Sequence, residues 1–244
     1  MRLKRGKHIE LHHKTVSGTE KYLKSILYGG LDGIITTFAV VAGVAGAALG
    51  SGIILILGFA NLIADGISMA IGDYLSTKSQ NEFHEREKKH EKEEVKNYPE
   101  AEKEEMVEFY IKKGVNRQDA IKLVSIIFKN KKLAVETLIT EELDIPTKEE
   151  SPVKNAVFTF LSFSVFGLIP LIVYIIHYLN SGLITNTFIV TIVLTAIALF
   201  LLGSFKVRIT GKNWLYSGIE TLVIGGVAAG AAFAVGKLLA GMAG

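Results

Sequence analysis

The sequence predicts an all-α membrane protein with five transmembrane helices per protomer and a small cytosolic helical domain inserted between spans two and three. Two features of the 244 residues lead to this prediction. Residues 155–205 contain no Asp, Glu, Lys or Arg, which no water-soluble domain of this size would tolerate on its surface. Residues 73–154, in contrast, carry 19 of the 24 acidic residues and 16 of the 27 Lys and Arg. The chain therefore consists of apolar flanks around one charged segment.

The first two predicted spans form a helical hairpin. A bilayer core of about 30 Å needs about 20 apolar residues per helix, and such windows run from about Ser25 to Leu49 and from about Ile53 to Leu75. Only the turn at 50–52 separates them. The first window is too long and Gly-rich for a signal peptide, and no cleavage boundary precedes the second, so we interpret it as a true span.

The last three predicted spans follow the charged segment. The third runs from about Pro152 to Tyr178, with Pro152 at the first helical position and Pro170 as the source of a kink. After a turn at 180–182, the fourth runs from about Ile184 to Phe205. The fifth, rich in Gly and Ala, runs from about Asn213 to Leu239.

The Lys and Arg residues set the predicted orientation, because they collect on the cytosolic side of a membrane. Seven precede the first span and three separate the fourth from the fifth, whereas the turns at 50–52 and 180–182 carry no charge. We therefore expect a cytosolic N-terminus, a cytosolic charged segment and an external or lumenal C-terminus. The cations are Arg2, Lys4, Arg5, Lys7, Lys14, Lys21, Lys24, Lys206, Arg208 and Lys212.

These expectations divide the chain into four parts. They are a basic cytosolic segment at 1–24, two spans at 25–75, a cytosolic helical domain at 76–150 and three spans at 151–244. Within the domain, Pro99 begins a helix after a break, and Asn116 is the predicted N-cap of the next. A further helix is expected over 133–143.

Five glutamates of the charged segment form a candidate metal site. Glu91 and Glu94 are one i,i+3 pair, Glu102 and Glu105 are another, and Glu142 lies at the far end. If the helices fold together at the break between the pairs, four carboxylates converge into an oxygen cage suited to divalent Fe, Mn, Mg or Ca. Spacing alone favours a simpler interpretation, a solvated face of a helix rich in Glu and Lys.

Two acids and a methionine lie inside the first two spans. Asp32 and Asp65 reach comparable depths in antiparallel helices, and Met69 shares a face with Asp65 at i,i+4. An intramembrane carboxylate costs roughly 2.5–3.5 kcal/mol and usually faces a bundle interior or a watery pathway. A functional role is the default interpretation. The alternatives are that each carboxylate caps backbone groups beside a glycine and that Met69 only fills a gap.

Two motifs in these spans point to a known family. They are Tyr28-Gly-Gly-Leu-Asp-Gly-Ile-Ile-Thr-Thr-Phe38, and Ala64-Asp-Gly-Ile-Ser-Met69 followed by Gly72-Asp-Tyr-Leu-Ser76. With the glutamate spacing of the charged segment, they resemble the vacuolar iron transporter family over nearly the whole chain. The resemblance implies a homodimer that moves Fe²⁺, with Mn²⁺ as a second candidate substrate, out of the cytosol in exchange for protons.

The resemblance also implies roles for individual residues. Asp32 and Met69, with Asp65 beside them, would line a pathway at the dimer interface, and the five glutamates would collect metal and deliver it to the entrance. No catalytic residue and no prosthetic group are expected. Leu138 and Ile139 stand where some eukaryotic members have methionines, and Asn61 stands where they have an acid. These differences weaken the case for iron selectivity over manganese.

Two other functional hypotheses remain open at this point. The chain is a membrane-anchored iron-binding protein or ferroxidase if the spans serve only as an anchor, and a metal-gated channel if the carboxylates are a sensor. A formal charge of only +3 gives no indication of a nucleic-acid partner. The basic N-terminal run is explained by the lipid bilayer, through membrane topology and contact with anionic lipid. The absence of a Walker-type loop predicts secondary transport. The favoured host is a prokaryotic plasma membrane, with a vacuole-type membrane as the alternative.

The cysteine count excludes several other classes. The chain contains no cysteine, so a disulfide scaffold, a thiolate zinc site and a cysteine nucleophile are all ruled out. Metal chemistry in this chain must therefore use oxygen, imidazole or thioether ligands.

Overall fold

The computed structural model describes residues 20–146, 149–180, 182–207, 211 and 213–242. Within these residues every regular element is helical, which confirms the all-α prediction. A π-helical turn, Leu138–Glu142, follows the fifth helix. The helices are α1 (Glu20–Gly46), α2 (Ser51–Asn97), α3 (Pro99–Lys112), α4 (Arg117–Ile127), α5 (Lys131–Thr137), α6 (Pro152–Leu179), α7 (Thr187–Phe205) and α8 (Trp214–Leu239).

The chain divides into two compact units. The first, the membrane unit, contains the described residues up to Leu75 and those from Pro152 onward. The second, the charged domain, is Ser76–Ser151. Helix α2 belongs to both, because its apolar first part lies in the membrane unit and its charged second part lies in the charged domain.

Among the described residues, four helices are long and apolar enough to cross a bilayer: α1, α2, α7 and α8. Helix α6 is bent by 48° between Pro152–Gly167 and Ile169–Leu179, and it is a fifth span if its two segments cross together. The bend confirms the predicted kink. Pro170 has no N–H to donate to the carbonyl of Phe166, and its ring presses against that carbonyl.

Most of the cations that set the predicted orientation lie outside the described part of the chain. Lys206, which is described, lies 3.7 Å from the Glu220 carboxylate of α8. The orientation therefore stays a prediction. The cations outside the described residues are Arg2, Lys4, Arg5, Lys7, Lys14, Arg208 and Lys212, and the side chain of Lys21 is not described either.

Helix α1 packs tightly against α6 through glycines of the first motif. A Cβ atom at Gly29 would lie 2.6 Å from the backbone oxygen of Thr159. One turn along α1, Gly33 meets the backbone of Phe163 in the same way. Small residues at i,i+4 let two helix backbones touch in an apolar medium, where dispersion contacts rather than the hydrophobic effect drive association. The glycines of the motif are therefore packing residues.

A polar contact ties three helices together at one end of the membrane unit. The Asp73 carboxylate of α2 accepts hydrogen bonds from the Ser25 hydroxyl of α1 at 3.0 Å and from the Thr159 hydroxyl of α6 at 2.5 Å. Both hydroxyl residues are buried. Two donors to one carboxylate oxygen hold the rotation of α2, which fixes where the side chains farther along that helix point.

The charged domain has its own apolar core. Val95 of α2, Met106 of α3, Val124 of α4 and Leu138 of the π-helical turn are each buried in one cluster. This core packs the end of α2 against α3. Tyr98 alone separates the two helices in sequence. The reversal at Pro99 confirms the predicted break.

The predicted helix boundaries of the charged domain differ in one place from the structure. Asn116 caps α4 as predicted, since its side chain accepts the N–H of Asp119 at 3.0 Å. The helix expected over 133–143 is split: α5 ends at Thr137, and the π-helical turn closes with a hydrogen bond of 3.1 Å from the Leu143 N–H to the Leu138 carbonyl. The wider turn shifts the register of every residue after Leu138 relative to α5.

Replacing Gly29 with alanine should destabilise the membrane unit. The added methyl group would overlap the α6 backbone, so we expect the free energy of unfolding in detergent to fall by about 1–3 kcal/mol. Gly226→Ala is the matched control, because a Cβ at Gly226 meets nothing within 4 Å. Equal unfolding midpoints for the two variants would contradict the close packing of α1 on α6.

Candidate functional site

Five glutamates of the charged domain converge on one site, which we call the carboxylate cluster. It comprises Glu91, Glu94, Glu102, Glu105 and Glu142. One carboxylate oxygen each of Glu91, Glu94 and Glu102 lies within 4.8 Å of the others, which is close enough to share a cation. The charges of Glu105 and Glu102 act on the Glu142 carboxylate. The structure thus brings three of the five predicted glutamates within ligand distance of one another and leaves Glu105 and Glu142 within electrostatic reach of them.

The core beneath the cluster explains why these carboxylates meet. Glu91 lies one turn before the buried Val95 on α2, and Glu102 lies one turn before the buried Met106 on α3. Residues four apart share a helix face, so the face that packs the two helices together also carries the two carboxylates inward. Both glutamates are only 7% exposed.

Burial changes the protonation of the cluster. The pKa of Glu91 is raised to about 8. Burial is the largest cause of this rise, and the charge of Glu102 and a hydrogen bond with Glu102 add to it. Burial also raises the pKa of Glu102 and of Glu142, the latter helped by the charge of Glu105. At neutral pH the cluster therefore retains protons that exposed glutamates would release.

One oxygen of the cluster lacks a partner. Glu91 Oε1 is buried, and within the described residues no hydrogen-bond donor reaches it. A buried acceptor without a donor costs about 1–3 kcal/mol. Because the neighbouring groups are also carboxylates, a cation satisfies this oxygen better than any neutral donor would.

Leu138 and Ile139 do not present ligands to the cluster. Both are buried in the apolar core of the charged domain. His90, by contrast, lies at its rim, with 3.0 Å between its Nδ1 and Oε2 of Glu94. The sequence offers His90 as a single Glu87-x-x-His90 motif, a weak signal for a metal ligand, whereas the structure pairs it with Glu94 at i,i+4.

The membrane unit brings its two acids into electrostatic reach of each other. Asp32 of α1 is half-buried, and the charge of Asp65 on α2 acts on it. Among the described residues, neither carboxylate has a hydrogen-bond donor to its side chain, which counts against the interpretation that they cap backbone groups. Thr36 donates instead to the Asp32 backbone carbonyl at 2.8 Å.

Met69 belongs to a longer polar line along α2. Asn61, Asp65, Met69 and Asp73 recur at every fourth residue, and all four are half-buried. Residues at this spacing lie along one helix face. The line therefore runs from the apolar middle of α2 to the end held by Ser25 and Thr159. Asp65 and Asp73 are eight residues apart with Met69 midway between them, so the sequence alone carries the spacing of this line.

The fold and the site define a polytopic helical membrane protein with acids inside its spans. A family model described as the VIT family matches residues 23–237. The chain belongs to this family.

Several named relatives resemble the chain over most of its length. It is 41% identical to the vacuolar iron transporter of Toxoplasma gondii over 240 residues, or 96% of this chain and 78% of that protein. It is 37% identical to the vacuolar iron transporter of Plasmodium falciparum, over 89% of this chain and 82% of that protein. Vacuolar iron transporter 1 of Arabidopsis thaliana is 31% identical, over 89% of this chain and 86% of that protein. The predicted family membership and the prediction of a non-enzymatic protein are thereby confirmed.

The stability of the metal-free charged domain should fall as pH rises. The folded-state pKa of Glu91, about 8, exceeds the ordinary glutamate pKa of 4.5, so between these values the folded protein holds a proton that the unfolded chain has released. Stability is then greatest below pH 4.5 and declines up to about pH 8. Hydrogen exchange of α3 in chelator, corrected for intrinsic rates, measures this decline.

Glu91→Gln should reduce this pH dependence, because the amide keeps the neutral form at every pH. Glu93→Gln is the matched control, since Glu93 is exposed on the same helix. If both variants kept the pH dependence of the unmodified protein, Glu91 would not be its source.

Proposed function

We propose that the protein is a secondary transporter that exports a divalent metal from the cytosol in exchange for protons. The observation that carries this proposal is that one helix, α2, bears both an acid of the membrane unit, Asp65, and two glutamates of the carboxylate cluster, Glu91 and Glu94. A cation collected at the cluster and a cation-binding pair in the spans are the two sites that such a transporter needs. The similarity to vacuolar iron transporters supports iron as the substrate.

In this proposal the five spans are α1, the apolar part of α2, α6, α7 and α8, with the charged domain in the cytosol and the C-terminus outside or in a lumen. Two such chains form a homodimer. The partial exposure of Asp32, Asp65 and Met69 within a single chain supports this assembly. An ionised carboxylate facing lipid is costly, and a second protomer over this face would place the acids inside a bundle.

The proposed coupling is a competition between protons and metal for the same carboxylates. At the cluster, a divalent cation favours the ionised form of Glu91 and displaces the proton that burial retains there. In the membrane, Asp32 and Asp65 form a second pair whose two charges a divalent cation balances. On the acidic side, protons take the place of the metal, which is released.

Glu91, Glu94 and Glu102 are the proposed primary metal ligands, since their oxygens share one small volume. Glu105 and Glu142 adjoin them and add negative charge that attracts the cation. Only hard oxygen ligands are present among these five, which suits Fe²⁺ and Mn²⁺ alike. Because Leu138 and Ile139 are in the core and Asn61 is neutral, we propose that the protein accepts Mn²⁺ as well as Fe²⁺.

The ferroxidase hypothesis accounts for the carboxylate cluster but not for the membrane acids. An anchor has no need of two carboxylates within electrostatic reach of each other inside its spans. The polar line on α2 likewise has no role in a simple anchor. These features favour transport over anchored oxidation.

Replacing Asp32 with alanine should abolish metal transport while leaving metal binding to the cluster unchanged. The variant keeps the charged domain but loses one carboxylate of the membrane pair. Uptake of Fe²⁺ or Mn²⁺ into proteoliposomes with an acidic lumen measures the effect. Glu220→Gln is the control, because it also removes an acid from an apolar helix, one that pairs with Lys206. Transport by Asp32→Ala at the unmodified rate would rule out the proposed pathway.

Glu102→Gln should weaken Mn²⁺ binding to the detergent-solubilised protein by about tenfold or more, because it replaces a charged ligand oxygen with a neutral one. Glu104→Gln removes an exposed carboxylate from the same helix and should leave the affinity within about twofold. Calorimetry in two buffers of different ionisation enthalpy measures both the affinity and the protons released. Binding without proton release near pH 7 would contradict the exchange at Glu91.

A further inference from the structure

A cavity of about 800 Å³ opens on the charged domain. Its walls are one face of α2 and residues 131–140 of α5 and the π-helical turn. Four lysines line it, together with a single carboxylate, that of Glu136. The lysines are Lys88, Lys92, Lys131 and Lys132. We call this cavity the lysine pocket.

Two of the four ammonium groups have no counter-charge. Lys88 pairs with Glu149 at 2.9 Å, and Lys132 lies 3.8 Å from Glu136. Within the described residues, no carboxylate oxygen lies within 4.0 Å of the ammonium group of Lys92 or of Lys131. The pocket thus holds an excess of two positive charges.

A second cavity of the charged domain lies between α3 and α4, where Lys103, Arg117 and Lys129 line the wall together with Glu100 and Glu104. One of these cations, Lys103, is paired with Glu100 at 2.6 Å. The lysine pocket differs in the proportion of its charges, with one lining carboxylate for four cations against two carboxylates for three cations in this second cavity.

The remaining walls of the pocket restrict the chemistry of an occupant. The hydroxyl groups of Thr137 and Thr140 donate to backbone carbonyls at 2.8 Å and 2.7 Å. Leu133 and Ile139 are apolar. Polar recognition must therefore come from the ammonium groups, which bind compact anions such as phosphate as point charges.

We propose that the lysine pocket binds a ligand bearing two phosphate groups and that this ligand tightens metal binding at the carboxylate cluster. The two sites share structural elements, because Lys92 follows Glu91 on α2, and Thr140 lies two residues before Glu142 in the π-helical turn. Uncompensated lysines lower the local affinity for a cation, and phosphates that neutralise them remove this repulsion. By reciprocity, bound metal would tighten phosphate binding.

The coupling rests on the proposed metal-binding function of the cluster, whereas the anion site does not. The phosphates belong either to a free metabolite or to a lipid headgroup. Both present the same chemistry to Lys92 and Lys131, and the experiment must distinguish them.

The test uses the full chain in nanodiscs, with the double variant Lys92→Gln/Lys131→Gln. The matched control is Lys78→Gln/Lys122→Gln, which loses the same charge at exposed lysines that pair with Glu82 and Asp119. Inorganic pyrophosphate is titrated into metal-free protein in phosphatidylcholine nanodiscs. A second arm omits pyrophosphate and uses nanodiscs with phosphatidylinositol bisphosphate, in which protection of Lys92 and Lys131 from amine labelling is measured.

We expect saturable pyrophosphate binding that the pocket variant weakens by about tenfold or more and the control does not. Protection by the phosphoinositide alone, lost in the pocket variant, would assign the site to a lipid headgroup. If neither probe bound, or if the two double variants behaved alike, the anion site would be overturned.

The coupling is measured separately, without a phosphate that would chelate metal in solution. The pocket variant, Lys92→Gln/Lys131→Gln, removes the two lysine charges that bound phosphate would neutralise. It should therefore bind Mn²⁺ severalfold more tightly than the control variant. Equal Mn²⁺ affinities would overturn the coupling. No Mn²⁺ binding by any variant would refute the proposed metal function instead, while the pyrophosphate result would still decide the anion site.

Discussion

Carboxylates held away from water are the feature on which the rest of this molecule depends. Glu91 and Glu102 are buried in the charged domain, and Asp32 and Asp65 lie in apolar helices. Such groups cannot stay ionised and unpaired without a large cost in free energy. They require either a proton or a cation, and a site that accepts both in turn couples the movement of one to the other.

The packing of the helices determines where these carboxylates lie. Close contact at Gly29 and Gly33 sets α1 against α6, and the hydrogen bonds to Asp73 set the rotation of α2. The same helix carries its polar line through the membrane unit and then the first glutamate pair in the charged domain.

Much of this arrangement was predictable because it follows from local chemistry. Hydropathy located the apolar helices, Pro99 and Pro170 marked a break and a kink, and Asn116 marked a cap. The glutamate spacing indicated a convergence of carboxylates, although spacing alone favoured a solvated face. Three features could not be predicted because they depend on tertiary contacts or on helix register. The two hydroxyl donors to Asp73 come from parts of the chain far apart in sequence. The π-helical turn shifts the helix register, and Leu138 at its start is buried in the core.

The most direct test of the account is the proton flow that accompanies metal movement in sealed proteoliposomes. Fe²⁺ or Mn²⁺ is added outside, and a trapped dye reports the pH of the lumen. If carboxylates exchange protons for metal, metal entry should make the lumen more alkaline in proportion to the metal taken up, and an acidic lumen should accelerate entry. Metal entry at a rate independent of lumenal pH, with no accompanying proton flow, would contradict the account.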